Sequence, residues 1–133
     1  MLKQIKQVED FHKAFGAVVN NSHADFLSLP EDKIRSVLEL RKALISEETK
    51  EVCEELDINI TDVDAVKELC DLCYVIFGTV VSLGFQEKFE ACFDEVHNSN
   101  MSKLGEDGKP IYREDGKVLK GPNYFQADLT KIL

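Results

Sequence analysis

Hydrophobic residues recur at helical spacing in four segments of the chain, which predicts an all-α fold. The first predicted helix covers residues 3–20. The second begins at Pro30, a residue that suits the first turn of a helix, and runs to Leu56. The third runs from Thr61, a good N-cap, to Leu83, and the fourth covers residues 86–100.

A polar tail follows the predicted helices. Its two short arms, Lys109–Tyr112 and Lys117–Leu119, flank Glu114-Asp115-Gly116, which is a strong hairpin signal. Lysines recur along this tail, so it is more basic than the rest of the chain. We therefore divide the chain into a helical domain over residues 1–101 and a basic C-terminal tail over residues 102–133.

The third predicted helix is apolar around nearly its whole circumference, from Leu69 to Phe85. Such a helix is normally buried on every side. Three other helices in a chain of 133 residues offer too little cover for it. We therefore expect an oligomer, at least a homodimer, with this helix in the interface.

Carboxylates interrupt the apolar pattern at two places. Asp71 is the one charged residue in the Leu69–Phe85 run, and Glu48 lies on the apolar stripe of the second helix. The C-terminal end of that helix is crowded with acids, although the helix dipole disfavours negative charge there. A solvated acidic face would explain Glu54 and Glu55, but it explains the positions of Glu48 and Asp71 poorly.

The acids form two pairs at i,i+3 spacing, each on one face of its helix: Glu48 with Glu51, and Glu68 with Asp71. A short turn makes the second and third helices antiparallel, which brings the pairs to nearly the same level. Oxygen ligands of this kind favour Mg²⁺ or Mn²⁺ over Zn²⁺. A Mg²⁺ ion held by carboxylates usually acts on phosphates.

The remaining features of the sequence limit the partners and the types of site that we expect. A net charge of −9 argues against nucleic acid and anionic membranes as partners. The charged N-terminus does not resemble a signal peptide, so we expect a cytoplasmic protein with reduced cysteines. Cys70 and Cys73 form a CxxC motif within an apolar helix, where small core residues are expected rather than a redox or zinc site.

Five segments together resemble the all-α NTP pyrophosphatase superfamily, which includes MazG-like proteins, dimeric dUTPases and phosphoribosyl-ATP pyrophosphohydrolase. They are residues 11–16, 41–48, 67–75, 96–103 and 115–117, and the paired acidic motifs lie among them. The resemblance implies a four-helix bundle of the MazG-like type, with the tail closing over the site. Gln126-Ala127-Asp128-Leu129 departs from the relatives, which often carry Pro-Asp-Leu there.

The resemblance also implies the reaction, a hydrolysis between the α- and β-phosphates of a nucleoside triphosphate that gives monophosphate and pyrophosphate. Dimeric dUTPases make dUTP a candidate substrate in nucleotide-pool house-cleaning. Alternatives are a phosphoribosyl-ATP pyrophosphohydrolase and a non-catalytic helical module whose acids bind a basic partner.

The resemblance implies a role for each site residue. Mg²⁺, or Mn²⁺ in its place, would lie on Glu48, Glu51, Glu68 and Asp71, and Glu47 would orient or deprotonate the attacking water. The phosphate oxygens would be held by Asn100, Lys103, Lys117 and Lys120. Without the resemblance, a solvated loop explains the tail lysines equally well.

Overall fold

The chain is all-α in the computed structural model, which describes residues 2–57 and 62–133. Its helices are α1 (Lys3–Phe15), α2 (His23–Leu27), α3 (Glu31–Leu56), α4 (Asp62–Ser82) and α5 (Phe89–Met101), followed by a 3₁₀ turn at Leu129–Lys131. The described residues contain no strand, and Tyr112 and Val118 form an isolated antiparallel bridge. The predicted fold class is confirmed.

The helix boundaries differ from the prediction mainly at the start of the chain. The first predicted helix is too long, because Gly16 adopts a left-handed conformation (φ +70°) and caps α1 with a bond from its N–H to the His12 carbonyl. The short helix α2 was not predicted; Ser22 caps it by accepting from the Asp25 N–H. The predicted turn after α3 and the Thr61 N-cap lie outside the described residues.

Two compact units make up the chain, residues 1–87 and 88–133. The first holds α1 to α4, and the second holds α5 together with the tail. The predicted domain boundary after residue 101 stays a prediction. Within residues 2–57 and 62–133, no helix is both long enough and apolar enough to cross a membrane.

In the first unit α4 packs against both α1 and α3. The Phe11 and Tyr74 rings meet edge to face at 5.6 Å. Gln4 and Val66, near the starts of α1 and α4, line one cavity, and His12 near the end of α1 approaches Gly78 near the end of α4, so the two helices run in the same direction. α3 runs in the opposite direction, as predicted. The buried apolar side chains are Ile5, Val8, Phe26, Val37, Val52, Val80 and Val81.

The C-terminal end of α4 is fixed to the loop after α1 by buried polar contacts. Asn20 Nδ2 donates to the Ser82 carbonyl at 2.6 Å, and Gln86 Nε2 donates to the Asn20 carbonyl at 2.7 Å. Gly84 adopts φ +76°, and a Cβ there would lie 2.2 Å from the Ser22 carbonyl oxygen. The backbone of the loop can approach this closely only because position 84 is glycine.

In the second unit the tail folds back onto the end of α5. Ser99 Oγ donates to the Phe125 carbonyl at 2.8 Å, and the Gly121 N–H donates to the Lys103 carbonyl at 2.9 Å. The predicted hairpin is confirmed: the Gly116 N–H donates to the Arg113 carbonyl at 2.9 Å, next to the bridge between the two arms.

The chain covers α4 unevenly. Val80 and Val81 near its C-terminal end are 7% and 0% exposed, whereas Val66, Leu69 and Tyr74 are 58%, 46% and 40% exposed. The N-terminal half of α4 therefore presents an apolar face that the described residues leave partly open.

Candidate active site

Three carboxylates converge where α3 passes α4. Glu48, Glu68 and Asp71 each offer an oxygen, and these atoms lie within 4.8 Å of one another. The antiparallel packing of the two helices puts Glu48 opposite the other pair, as the i,i+3 spacing predicted. The Asp71 side chain is 44% exposed, so the expectation that it lies in a core is wrong. It lies at the open edge of the helix pair.

Negative charge is concentrated around Glu48. Partial burial raises the pKa of Glu48, and the charges of Glu51, Asp71, Glu47 and Glu68 raise it further, in that order. Glu47 and Glu51 are exposed and stand outside the group of three converging oxygens. The other four predicted acids are nevertheless all close enough to raise the pKa of Glu48.

Glu68 carries an unpaired oxygen at this point. Its side chain is only 16% exposed, and Oε2 is buried without a hydrogen-bond partner. A buried anionic oxygen without a partner is costly. A set of carboxylate oxygens with one unsatisfied atom suits a hard divalent cation, which takes oxygen ligands.

Lys67 lies against the same carboxylates and was missed in the sequence. Its Nζ is 2.9 Å from Glu68 Oε1 and 3.0 Å from Asp71 Oδ2, and these hydrogen bonds raise the pKa of Lys67. Two of the five acids are therefore paired with a lysine of their own helix. The i,i+4 spacing of Lys67 and Asp71 was the signal that could have revealed it.

The predicted phosphate-binding residues lie in the second unit. Lys103 Nζ donates to Asn100 Oδ1 at 2.6 Å, and Lys120 Nζ lies 4.3 Å from the centroid of the Tyr124 ring. Because Gly121 is bonded to the Lys103 carbonyl, the backbones at Lys103 and Lys120 run side by side. Lys117 is on the hairpin, where its N–H donates to Asp115 Oδ1 at 3.1 Å.

A cavity of about 640 Å³ lies between α1 and α4, on the face of α4 opposite the carboxylates. Phe77 in its wall is nine residues from Glu68, about two and a half helical turns, so the two side chains point in opposite directions. Cys70 and Cys73 line this cavity and are exposed, which contradicts their expected place in the core. The full lining is Gln4, Gln7, Val8, Val66, Leu69, Cys70, Cys73, Tyr74 and Phe77.

A protein-family model matches the part of the chain that contains the converging carboxylates. The family model described as "Phosphoribosyl-ATP pyrophosphohydrolase" matches residues 8–100, which include all five acids and Asn100. The chain belongs to the phosphoribosyl-ATP pyrophosphohydrolase family. No match was found among curated proteins.

Membership of the phosphoribosyl-ATP pyrophosphohydrolase family confirms the resemblance to the MazG-like superfamily. The chain is thus a pyrophosphohydrolase, a hydrolase that acts on phosphoric anhydrides. The family typically depends on a divalent metal, and the three converging carboxylates supply suitable ligands. The tail lysines Lys103, Lys117 and Lys120 lie beyond the matched residues.

Proposed function

We propose that this protein is a Mg²⁺-dependent nucleoside triphosphate pyrophosphohydrolase that releases a nucleoside monophosphate and pyrophosphate. The observation that carries the proposal is the convergence of Glu48, Glu68 and Asp71 around the unpaired Glu68 oxygen. Carboxylate sites of this composition bind Mg²⁺ or Mn²⁺, which neutralise phosphate oxygens during attack by water. A role in cleansing the cytoplasmic nucleotide pool is part of the proposal and rests on the likeness to MazG-like dUTPases.

The acids divide into two roles in this proposal. Glu48, Glu68 and Asp71 hold the metal with Glu51, which is one turn along α3 from Glu48. Glu47 is exposed beside them and accepts a proton from the attacking water or orients it. A carboxylate at this exposed position is accessible to water, as a general base requires.

The second unit would bind the phosphates. Lys103, Lys117 and Lys120 are cationic donors, and the Asn100 side chain already holds the Lys103 ammonium. Cations stabilise the charge that develops on phosphate oxygens during hydrolysis. The proposed role of the tail is to bring these groups to the nucleotide when it binds.

Two nucleotides are candidate substrates of this reaction. We propose dUTP as a substrate, on the likeness to MazG-like dUTPases. Phosphoribosyl-ATP is the second candidate, and the description of the matching family model favours it. A biosynthetic enzyme for phosphoribosyl-ATP should show little activity on dUTP.

A substrate panel tests the reaction. The protein is incubated with Mg²⁺ and each of the common NTPs, dNTPs and phosphoribosyl-ATP, and pyrophosphate and orthophosphate are measured separately. Pyrophosphate release is expected; orthophosphate alone would show that a different bond is cleaved. No release from any nucleotide would favour a binding module instead, and such a module should bind its partner without Mg²⁺.

The protein also acts as a homo-oligomer, at least a dimer, in this proposal. The support is the exposed apolar half of α4, which bears Val66, Leu69 and Tyr74 beside the cavity. Apolar patches of this kind normally lie in interfaces. A second copy that covers this face would leave the carboxylates, on the opposite face of α4, open to the nucleotide.

A further inference from the structure

Three helices of the first unit meet at one buried polar point. Arg41 of α3 is 7% exposed, and His12 of α1 is 3% exposed. Both side chains converge on Gly78 of α4. A Cβ at Gly78 would lie 2.8 Å from Arg41 Nη1 and 3.0 Å from His12 Nε2.

Gly78 forms a notch in the surface of α4. It is the only glycine between Asp62 and Ser82, and glycine is among the least favourable residues in the middle of a helix. A glycine in the middle of a helix therefore usually has a reason in the packing around it. The reason is steric, because any side chain at position 78 would occupy the space of the Arg41 guanidinium.

Arg41 is an unusual residue for this position. Its Nε is buried without a hydrogen-bond partner, and within the described part of the chain it forms no ion pair. An apolar residue of similar volume would avoid the desolvation of a buried charge. The shape and length of the arginine side chain, which reaches from α3 to the backbone of α4, therefore explain its presence better than a gain in stability does.

His12 closes the notch from the side of α1. Its Nδ1–H donates to the Val18 carbonyl at 3.0 Å, so Nε2 is the ring atom that faces Gly78. Burial lowers the pKa of His12; the Val18 bond opposes this shift and the charge of Arg41 adds to it. A neutral ring beside the guanidinium keeps a second positive charge out of the junction.

The distance from the Arg41–Gly78 contact to the carboxylates is the same along both helices. Glu48 lies seven residues after Arg41 on α3, and Asp71 lies seven residues before Gly78 on α4. Seven residues span about 10.5 Å of helix. Because the two helices are antiparallel, a contact between 41 and 78 places 48 level with 71.

The contact at Gly78 also disfavours other registers of α3 along α4. A shift of one turn would set Arg41 against Tyr74 or Ser82 instead of Gly78, and these residues have side chains where the guanidinium must lie. α4 offers no second glycine for it. Packed interiors accept such an overlap only by shifting the backbone.

We infer that Arg41 is a positioning residue whose guanidinium, seated in the Gly78 notch, fixes the register of α3 on α4 and so holds Glu48 opposite Glu68 and Asp71. The inference rests on the proposed metal site formed by these carboxylates. It adds residues outside that site on which metal affinity depends.

The test measures Mn²⁺ affinity by electron paramagnetic resonance titration of metal-free protein. Gly78→Ala and Arg41→Met each disturb the seat of the guanidinium, and each should weaken Mn²⁺ binding by about tenfold or more, as loss of a supporting residue typically does. The matched control is Val81→Ala, on the same helix and fully buried. It should lower the unfolding midpoint without changing the Mn²⁺ affinity.

The double variant separates positioning from general damage. Arg41→Met removes the Nη1 atom that the methyl group introduced by Gly78→Ala would strike, so the two changes together should weaken binding by less than the product of their separate effects. If Gly78→Ala alone fails to fold, the double variant should recover the fold, and failure to recover it would overturn the inference.

Three results would overturn the inference: Mn²⁺ binding by both single variants like that of the wild type, an equal loss in Val81→Ala, and independent effects in the double variant. Absence of Mn²⁺ binding by the wild type would also overturn it. Wild-type protein that binds Mn²⁺ but releases no pyrophosphate would refute the proposed reaction alone, because the register test needs no turnover.

Discussion

At the scale of single residues, Glu48 is well placed to bind a metal ion, because its carboxylate lies beside those of Glu68 and Asp71. The same place is unfavourable for its own negative charge when no metal is bound. Burial and four neighbouring acids raise the pKa of Glu48, so ionisation destabilises the folded, metal-free protein as pH rises through that raised pKa. Glu48→Gln should therefore stabilise the metal-free fold at neutral pH. Thermal unfolding in a chelator measures this effect.

The same substitution should impair metal binding. Loss of a residue that supports the ligands typically lowers metal affinity by about ten- to a hundredfold, and loss of a direct ligand should lower it at least as much. Glu54→Gln is the control, since Glu54 is exposed on the same helix and pairs with Lys50 at 3.5 Å. Equal Mn²⁺ affinities of the two variants would remove Glu48 from the ligand set.

Lys67 should compete with the metal for the same oxygens. Its ammonium contacts Glu68 and Asp71 at 2.9 and 3.0 Å, so Lys67→Met should tighten Mn²⁺ binding. The gain should be modest, because the Lys67 side chain is 61% exposed and solvent screens its charge. Lys50→Met removes the same charge from α3 without contacting these two acids, and it should tighten binding less. Weaker binding by Lys67→Met would show that the lysine supports the ligands instead.

His12 should make stability depend on pH. Its pKa in the folded protein is lowered from 6.5, mainly by burial, so the unfolded chain takes up its proton first as pH falls. Stability should fall as pH decreases through that ordinary value, and this loss should stop below the lowered pKa.

The pH prediction is checked with His12→Asn, whose amide can still donate to the Val18 carbonyl. Unfolding midpoints of metal-free protein are compared between about pH 8 and about pH 5, the range in which histidine titrates. The variant should lose less stability on acidification than the wild type. His97→Asn, a change at an exposed histidine, should behave like the wild type; an identical slope in all three proteins would contradict the prediction.

At the scale of elements, two left-handed glycines have different neighbours. Gly16 after α1 has φ +70° with open space around it, whereas a Cβ on Gly84 would lie 2.2 Å from the Ser22 backbone. Gly16→Ala should cost about 1–2 kcal/mol, the usual penalty of this conformation for a residue with a side chain. Gly84→Ala should cost clearly more, and chemical denaturation measures both. Equal losses would mean that the loop moves away freely from α4.

At the scale of the whole molecule, the open face of α4 predicts assembly. Val66 is 58% exposed on that face, so Val66→Asp should reduce the assembled mass in light scattering while the monomer keeps its helical content. Ser36→Asp adds the same charge at an exposed position of α3 and should leave the mass unchanged. A native protein that stays monomeric, folded and active across a dilution series would refute the assembly.

Position 80 cannot serve as the probe of assembly. Val80 lies in the middle of the apolar run of α4, but its side chain is only 7% exposed within its own chain. A charge there would disrupt the core of a single subunit. Loss of the fold would then say nothing about a second copy.

The sequence by itself determined the class of fold and the heart of the site. Helical periodicity is local, so the all-α class and the extents of α3 and α4 could be predicted from residue order. The i,i+3 spacing of Glu68 and Asp71, on a helix antiparallel to that of Glu48, was sufficient to predict that these carboxylates meet. Capping by Gly16 is also local, but the apolar residues beyond it, Val18 and Val19, obscured the end of α1.

The tertiary structure decided which sides of the helices are covered. Periodicity cannot tell whether an apolar face meets its own chain, and so Cys70 and Cys73 were assigned to a core but line an open cavity. Asp71 lies at an open edge of the helix pair, rather than in a core, for the same reason. The notch at Gly78 depends on two side chains distant in sequence, Arg41 and His12, and only packing brings these together.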